Sequence, residues 1–430
     1  MTQIEFEKKN YQAALLGAVI LNAASPLHNN SHLGELRALA ETAGAEIVGE
    51  VIQNRNRPDP AFYFGKGKVS EVKQIASENK ADLFIFDDDL SPAQVRNLEE
   101  QIGIPVVDRS GLILDIFALH ARTTESRTQV KLAQLKYLLP RLAGRWRHLE
   151  RQEGAIGTRG PGETQLETDR RLITKQISEL EKKLENIGKE RDTQRKKRKS
   201  LFKIALVGYT NAGKSTVLNR LTNSKVLVEN KLFATLDSTT RRLELDYGEA
   251  ALLTDTVGFI AKLPAHLVAS FRSTLKDVSE ADLLLHVIDI ADEDFEHKVT
   301  AVNEELKRLG SLDKNRILVF NKLDSYSNDV LLEVYRKRYP EASFISAMNN
   351  IGVDVLVEKI KAEFRKGLSE LLIYLDKKHQ ELYPEISKSC HIIDSTVEGD
   401  DIVLRVIAHK EKISKLLTNN QKLKTTTIIS

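Results

Sequence analysis

The sequence predicts an α/β protein: a P-loop domain with a doubly wound, mostly parallel sheet, preceded by a small α/β domain with a long helical hairpin and followed by a small α+β domain. Three observations predict this. Short apolar runs alternate with helical segments of about 10–20 residues from Phe202 to Lys366. Within them the run KIALV (203–207) leads into GYTNAGKS (208–215) and then a helical segment, the strand–loop–helix context of a P-loop. Upstream, Ile173, Ile177, Leu180, Leu184 and Ile187 recur at spacings of 4, 3, 4 and 3, a heptad seam on one long helix.

The elements follow in chain order. Residues 11–107 read as a parallel α/β unit, with Ser91 capping a helix whose first position is Pro92. From Gly111 to Leu142 the pattern is helical, and Pro140 should interrupt or end it. The Gly-rich stretch 154–162 then leads to the heptad helix, so two helices packed as an antiparallel hairpin are expected, the second ending in the basic run RKKRK (195–199). Strand candidates FKIALVG, LELDYGEAALLTDTVG, DLLLHVIDI, RILVFNKLD and ASFISA build the P-loop domain, and ELLIYL, CHIIDSTV and DIVLRVIA with the helical EKISKLL build the tail. The expected domains are 1–110, 111–199, 200–367 and 368–430.

At 430 residues the chain exceeds what one core supports, and 41% hydrophobic with 29% charged residues places it among globular proteins. A single cysteine, Cys390, excludes an internal disulfide or a zinc cluster and fits a reducing compartment; it reads as a buried small residue. The N-terminus lacks a basic segment followed by an apolar one, and no run is long enough to span a bilayer. A cytoplasmic monomer is expected, with peripheral membrane association left open. The net charge of +3 is too small to argue for nucleic acid, but residues 145–200 hold 16 Lys/Arg against 10 Asp/Glu, where a partner-binding arm would lie.

The chemistry-bearing motifs fall in the P-loop domain. In Gly208, Tyr209, Thr210, Asn211, Ala212, Gly213, Lys214 and Ser215, backbone amides at a helix N-terminus surround phosphates, Lys214 reaches the β- and γ-phosphates, and Ser215 places its hydroxyl on Mg²⁺. Asn321, Lys322, Leu323 and Asp324 follow an apolar strand; an Asp there accepts hydrogen bonds from guanine's ring N–H and exocyclic amine, which adenine does not offer, so a metabolic ATPase is disfavoured. Ser346, Ala347 and Met348 end a further strand, where backbone amides would meet the guanine carbonyl. Asp255, Thr256, Val257 and Gly258 supply a carboxylate for Mg²⁺ through water and an amide for the γ-phosphate. Phe233, Ala234, Thr235, Leu236 and Asp237 form a loop offering Thr235 as a second Mg²⁺ ligand, a role for which Thr239 and Thr240 compete. The catalytic set is therefore Lys214, Thr235 and Gly258, and the last two lie in segments ordered by the γ-phosphate and released after hydrolysis. The ordered set predicts a GTP-hydrolysing switch with Mg²⁺ as cofactor. One part is missing: Phe259 stands where Ras-type enzymes carry a water-orienting glutamine, so unaided hydrolysis should be slow.

The strings VVDRSGLILDIFALHART (106–123), LAQLKYLLPRLAGRW (132–146) and GTRGPGETQLETDRR (157–171), together with FATLD, DTVGF and NKLD, resemble the HflX family of ribosome-associated GTPases, over about residues 10–365. Gly-Ala-Ile-Gly at 154–157 departs from the family's usual double glycine, and the tail after 368 matches poorly. The resemblance implies binding to the 50S ribosomal subunit and its rRNA, hydrolysis stimulated there, and a role in ribosome splitting or rescue. Independently of it, a Gly-rich loop between long helices, with Arg159 for phosphate or base stacking, suits an RNA-probing tip; a plain hinge is the alternative. A nucleotide-gated scaffold for a protein or membrane partner is the competing function. Tyr137 and Trp146 either stack on bases or pack helices, the run 195–199 is either a linker or an rRNA contact, and Asp87, Asp88 and Asp89 are either a metal site or a solvated loop. His120 and His286 are expected in cores.

Overall fold

The computed structural model describes residues 13–21, 29–142, 161–196, 201–224, 232–262, 272–399, 401–420 and 423–427. The N-terminal unit runs β1 (Ala13–Leu21), α1 (Asn29–Thr42), β2 (Glu46–Arg55), α2 (Lys66–Glu78), β3 (Leu83–Phe86), α3 (Pro92–Ile102), β4 (Val106–Asp108) and α4 (Arg109–His120). Its sheet is parallel, in the order β2-β1-β3-β4. Helix α3 opens as expected: Ser91 and Gln94 form a reciprocal capping box with Pro92 behind it. One face of the sheet packs Phe64, Phe84 and Phe86 against α2 and α3; the other receives α1 and α4. Helix α4 crosses the expected 110/111 boundary and stays on this sheet, because Leu112, Ile113, Leu114, Ile116 and Phe117 are all buried.

The hairpin follows as α5 (Thr124–Leu138) and the 36-residue α6 (Pro161–Lys196). Helix α5 stops at Leu138, and Leu139–Arg141 forms one tighter turn around Pro140. Leu135 and Leu142 pack on Ile173, with Leu138, Ile177 and Leu180 around them. The ion pairs Lys136–Glu181 (2.7 Å) and Arg191–Glu125 (2.7 Å) run in opposite chain directions, so the helices are antiparallel.

The P-loop domain comprises β5 (Phe202–Gly208), α7 (Lys214–Thr222), β6 (Thr239–Glu244), β7 (Ala250–Asp255), α8 (Arg272–Ser279), β8 (Leu283–Asp289), α9 (Phe295–Arg308), β9 (Arg316–Asn321), α10 (Asp329–Arg338), β10 (Ser343–Phe344) and α11 (Val353–Lys366). Its sheet order is β10-β9-β8-β5-β7-β6, with β6 alone antiparallel, which brings the C-terminal ends of β5, β8, β9 and β10 to one edge. The tail, β11 (Leu368–Asp376), α12 (Tyr383–Ser389), β12 (His391–Glu398), β13 (Asp401–His409), α13 (Lys410–Asn419) and β14 (Lys424–Thr427), is an antiparallel β12-β13-β11-β14 sheet. Its core buries Cys390, as expected. Helix α12 and strand β14 were not legible as periodic runs.

One apolar cluster is continuous between the first unit and the P-loop domain. Leu36 of α1 and Phe117 of α4 share it with Tyr209, Phe233, Leu236, Val257 and Phe259.

Candidate functional site

The P-loop is built by close approach to β9. Gly213 has φ +89°, and a Cβ there would meet Asn321 Nδ2 at 2.3 Å. Asn321 is a tie rather than a free base contact: Nδ2 donates to Ala212 O (3.0 Å) and Oδ1 accepts from Ala347 N (3.0 Å). Ala347's amide, expected to face guanine, is therefore engaged in this conformation. Arg220 of α7, which the sequence reading missed, braces the same loop by donating to the carbonyls of Ala347 (2.8 Å) and Met348 (2.6 Å). Met348 itself is exposed.

Lys214 is buried, and its ammonium donates to Gly208 O (3.2 Å) and Tyr209 O (2.9 Å); burial lowers its pKa to about 8, against a partly compensating Asp255. Ser215 Oγ donates to Asp255 Oδ2 and lies 2.9 Å from Thr235 Oγ1. Burial raises the Asp255 pKa, opposed by Lys214, Ser215 and Thr235. Of the three competing threonines, Thr235 stands at Ser215; Thr240 instead meets Thr254 (3.0 Å), and Thr239 begins β6 opposite Asp255. Asp255 Oδ1 has no hydrogen-bond partner among the described residues. Three hard oxygen donors with one unsatisfied carboxylate oxygen fit Mg²⁺ with its water shell.

Gly258 lies against the P-loop: a Cβ there would come within 2.8 Å of Thr210 Cα and 3.0 Å of Lys214 Nζ. The next residue is held to the P-loop by Phe259 N donating to Gly208 O (3.1 Å) and Thr210 N donating to Phe259 O (2.8 Å). The Phe259 ring is buried in the core shared with the N-terminal unit, so it is an anchor and leaves the water-orienting place without a polar side chain. At the base end, Ser346 Oγ donates to Asp324 Oδ1, which lowers the Asp324 pKa and keeps it an acceptor. Lys322 pairs with Asp289 (2.7 Å), and Leu323 packs on β9 with Phe320.

Several side chains in the expected nucleotide segments serve the fold instead. Thr256 donates to Leu206 O (2.6 Å), and Ala212, Phe233, Leu236 and Val257 are buried. Tyr209 turns toward the N-terminal unit, where its hydroxyl donates to Glu35 and accepts from Ala261 N (2.7 Å). Asp237 accepts from the hydroxyl of Thr123, the N-cap of α5.

Of the three acidic residues, Asp87 is buried, Asp88 is half-buried and Asp89 is exposed, and they form no metal cluster among the described residues. Arg109, 1% exposed, donates to Asp87 (2.7 Å), to Glu35 and to Ala261 O (3.1 Å), while Lys262 reaches Asp87 (3.0 Å) and Asp88 (2.7 Å). Burial opposes the Arg109 charge, but Glu35 and Asp87 outweigh it and raise its pKa. Ser110 binds Asp89. The segment after Gly258 is thus fastened into the C-terminal edge of the N-terminal sheet. Tyr137 is a packing residue: it donates to Asp108 (2.6 Å) with Arg141 over its ring. His286 is buried, while His120 is half-buried and bonds Ile116 O (2.9 Å). Residues 154–160 of the Gly-rich stretch, Arg159 among them, Trp146, and residues 197–199 lie outside the described residues.

A P-loop between β5 and α7, an Asp-x-x-Gly turn after β7 and an Asn-Lys-x-Asp turn after β9 define a GTP-hydrolysing P-loop enzyme. Family models described as "GTP-binding GTPase N-terminal", "GTP-binding GTPase Middle Region" and "50S ribosome-binding GTPase" match residues 30–118, 120–198 and 203–322. Relatives named GTPase HflX include those of Caldanaerobacter subterraneus subsp. tengcongensis, 49% identical over 83% of this chain and 82% of that protein, and of Escherichia coli, 44% identical over 76% and 78%. A GTP-binding protein from Sulfolobus solfataricus solved with GDP aligns over 83% of this chain and 99% of that chain at 24% identity and a TM-score of 0.41. The chain belongs to the HflX family of GTPases. Among the described residues no helix is long and apolar enough to cross a membrane.

Proposed function

We propose that this GTPase acts in the cytoplasm as a monomer that binds the 50S subunit and couples its nucleotide switch to ribosome splitting, recycling or rescue. Asp324 reads guanine, and Lys214 and the P-loop amides hold the phosphates. Ser215 and Thr235 would hold Mg²⁺ directly, and Asp255 through water; the ion would neutralise charge on the β- and γ-phosphates. Gly258 presents its amide to the γ-phosphate and loses that contact on hydrolysis, which frees the segment fastened by Ala261 and Lys262. With Phe259 in the core, the free protein lacks a group to orient water, so a docked particle supplies the missing order.

The observation that carries this reading is the arm. Helix α6 extends about 54 Å, and its apolar seam packs on α5 and the turn after it around Leu135, Leu138 and Leu142, which makes a long two-helix arm. The description of the matched family model as a 50S ribosome-binding GTPase supports the same partner. The test is light scattering of 70S particles together with GTP turnover, with and without 50S subunits. Arg159→Ala, or replacement of residues 155–161 by a Gly/Ser linker, should abolish particle dissociation while GTP affinity of the free protein stays near wild type. Residual particle binding should weaken steeply with salt. Dissociation at the wild-type rate by the tip-replaced protein would make the tip a hinge and refute the reading.

A further inference from the structure

The loop carrying Thr235 is held from outside the P-loop domain. Two residues beyond it, the Asp237 carboxylate accepts three hydrogen bonds from the start of the hairpin: Arg122 N (3.1 Å) and Thr123 N (3.1 Å) on Oδ2, and the Thr123 hydroxyl (2.6 Å) on Oδ1. Thr123 is also the N-cap of α5, accepting from Ser126 N (3.1 Å), so the carboxylate sits at the positive end of a 15-residue helix, where negative charge is favoured. Two residues before Thr235, Phe233 is buried edge-on against Phe117 of α4, with ring centroids 4.7 Å apart.

Thr235 is thus slung between two contacts, both made by the N-terminal half of the chain. Its position matters because of a distance. Neighbouring oxygens of an octahedral Mg²⁺ shell at about 2.0–2.1 Å lie about 3 Å apart. Ser215 Oγ and Thr235 Oγ1 are 2.9 Å apart, and Ser215 donates to Asp255. The loop therefore already has ligand spacing, and the groups that enforce it are Phe117 and Thr123.

We propose that Thr123 and Asp237 are a positioning pair: their hydrogen bonds hold Thr235 at ligand distance and tie the nucleotide switch to the base of the helical hairpin. The pair acts through Thr235, so it favours the GTP state, in which that threonine is engaged, over the GDP state. By linkage, GTP in turn tightens the grip of the loop on α5. The inference rests on reading Thr235 as a Mg²⁺ ligand, and the experiment separates the two.

In the full-length protein, Thr123→Asp keeps a capping side chain for α5 but sets a like charge against Asp237, whereas Thr123→Ser keeps both bonds. The measurement is affinity for a non-hydrolysable GTP analogue and for GDP, each with Mg²⁺. Thr123→Asp should weaken the analogue about tenfold and GDP less than about threefold, one broken charge-assisted contact acting on one state; retained GDP binding reports a folded domain. Thr123→Ser should keep the wild-type ratio. The decisive arm is the cycle with Thr235→Ala: once Thr235 is gone, Thr123→Asp should have no further effect on the analogue. Additive losses, or an unchanged analogue-to-GDP ratio in Thr123→Asp, would overturn the pair. If Thr235→Ala alone leaves analogue affinity unchanged, the ligand reading fails and the pair falls with it, a result distinguishable from failure of the pair by itself.

Discussion

His286 makes a quantitative prediction about acid sensitivity. It lies on β8, whose next residue, Val287, lends its carbonyl to the close approach of Gly208 at the root of the P-loop. The ring is fully buried, its Nδ1 has no hydrogen-bond partner among the described residues, and burial, with Arg316 and Lys214 adding to it, lowers its pKa from 6.5 to about 3. The unfolded chain takes up a proton on this ring as pH falls below 6.5, whereas the native protein does so only near 3. Stability contributed by the neutral ring is therefore fully present above pH 6.5 and is lost progressively as pH falls toward 3. Between pH 7.5 and pH 5 the loss from this one group is about 2 kcal/mol. His286→Leu roughly conserves volume and removes both the titration and the unpartnered nitrogen. Hydrogen exchange of β5 and β8 amides, in wild type and variant at both pH values, isolates the effect, because carboxylate contributions common to both proteins cancel. The variant should gain about 2 kcal/mol on wild type at pH 5 relative to pH 7.5. Equal pH dependence in the two proteins would show that the ring is not held neutral by burial, and the reasoning would fail.

Asp324→Asn should weaken GTP and strengthen xanthosine triphosphate binding, since the amide donates to the carbonyl that replaces guanine's amine; titration with both labelled nucleotides checks this, and unchanged GTP affinity would contradict it. Arg109→Leu leaves the buried Asp87 and the half-buried Glu35 without the guanidinium, a loss of about 3–5 kcal/mol for breaking the buried Arg109–Asp87 pair. It should appear as faster exchange at the α1, α4 and Ala261 amides, where the two units meet, with β9 and the tail sheet unaffected.

The nucleotide motifs were legible in the sequence because each is a local device. GYTNAGKS follows its strand and opens its helix within a few residues, so turn geometry, helix dipole and lysine are specified together. The same locality made Ser91 recognisable as a cap and the α6 seam as a packing face. It failed where identical residue types lie within a few positions: Thr235, Thr239 and Thr240 are equivalent in sequence, and only the folding of β6 onto β7 commits Thr240 to Thr254 and leaves Thr235 to Ser215.

What the sequence by itself determined is therefore the GTPase motif set: the Asn-Lys-x-Asp turn ending at Asp324, the P-loop carrying Lys214, and a phenylalanine at position 259 after the Asp-x-x-Gly turn. Only the tertiary structure decided how those motifs are held. Arg109 reaches Ala261, Lys262 reaches Asp87, and Thr123 reaches Asp237 across 114 to 175 residues of chain. No periodicity or local spacing encodes such pairs, because their partners are chosen by how two separately patterned sheets share one core. The physical reason is burial: Phe259, Phe233 and Tyr209 are apolar or amphipathic surfaces that one sheet cannot cover, and covering them with α1 and α4 fixes the segments that carry them to the N-terminal unit.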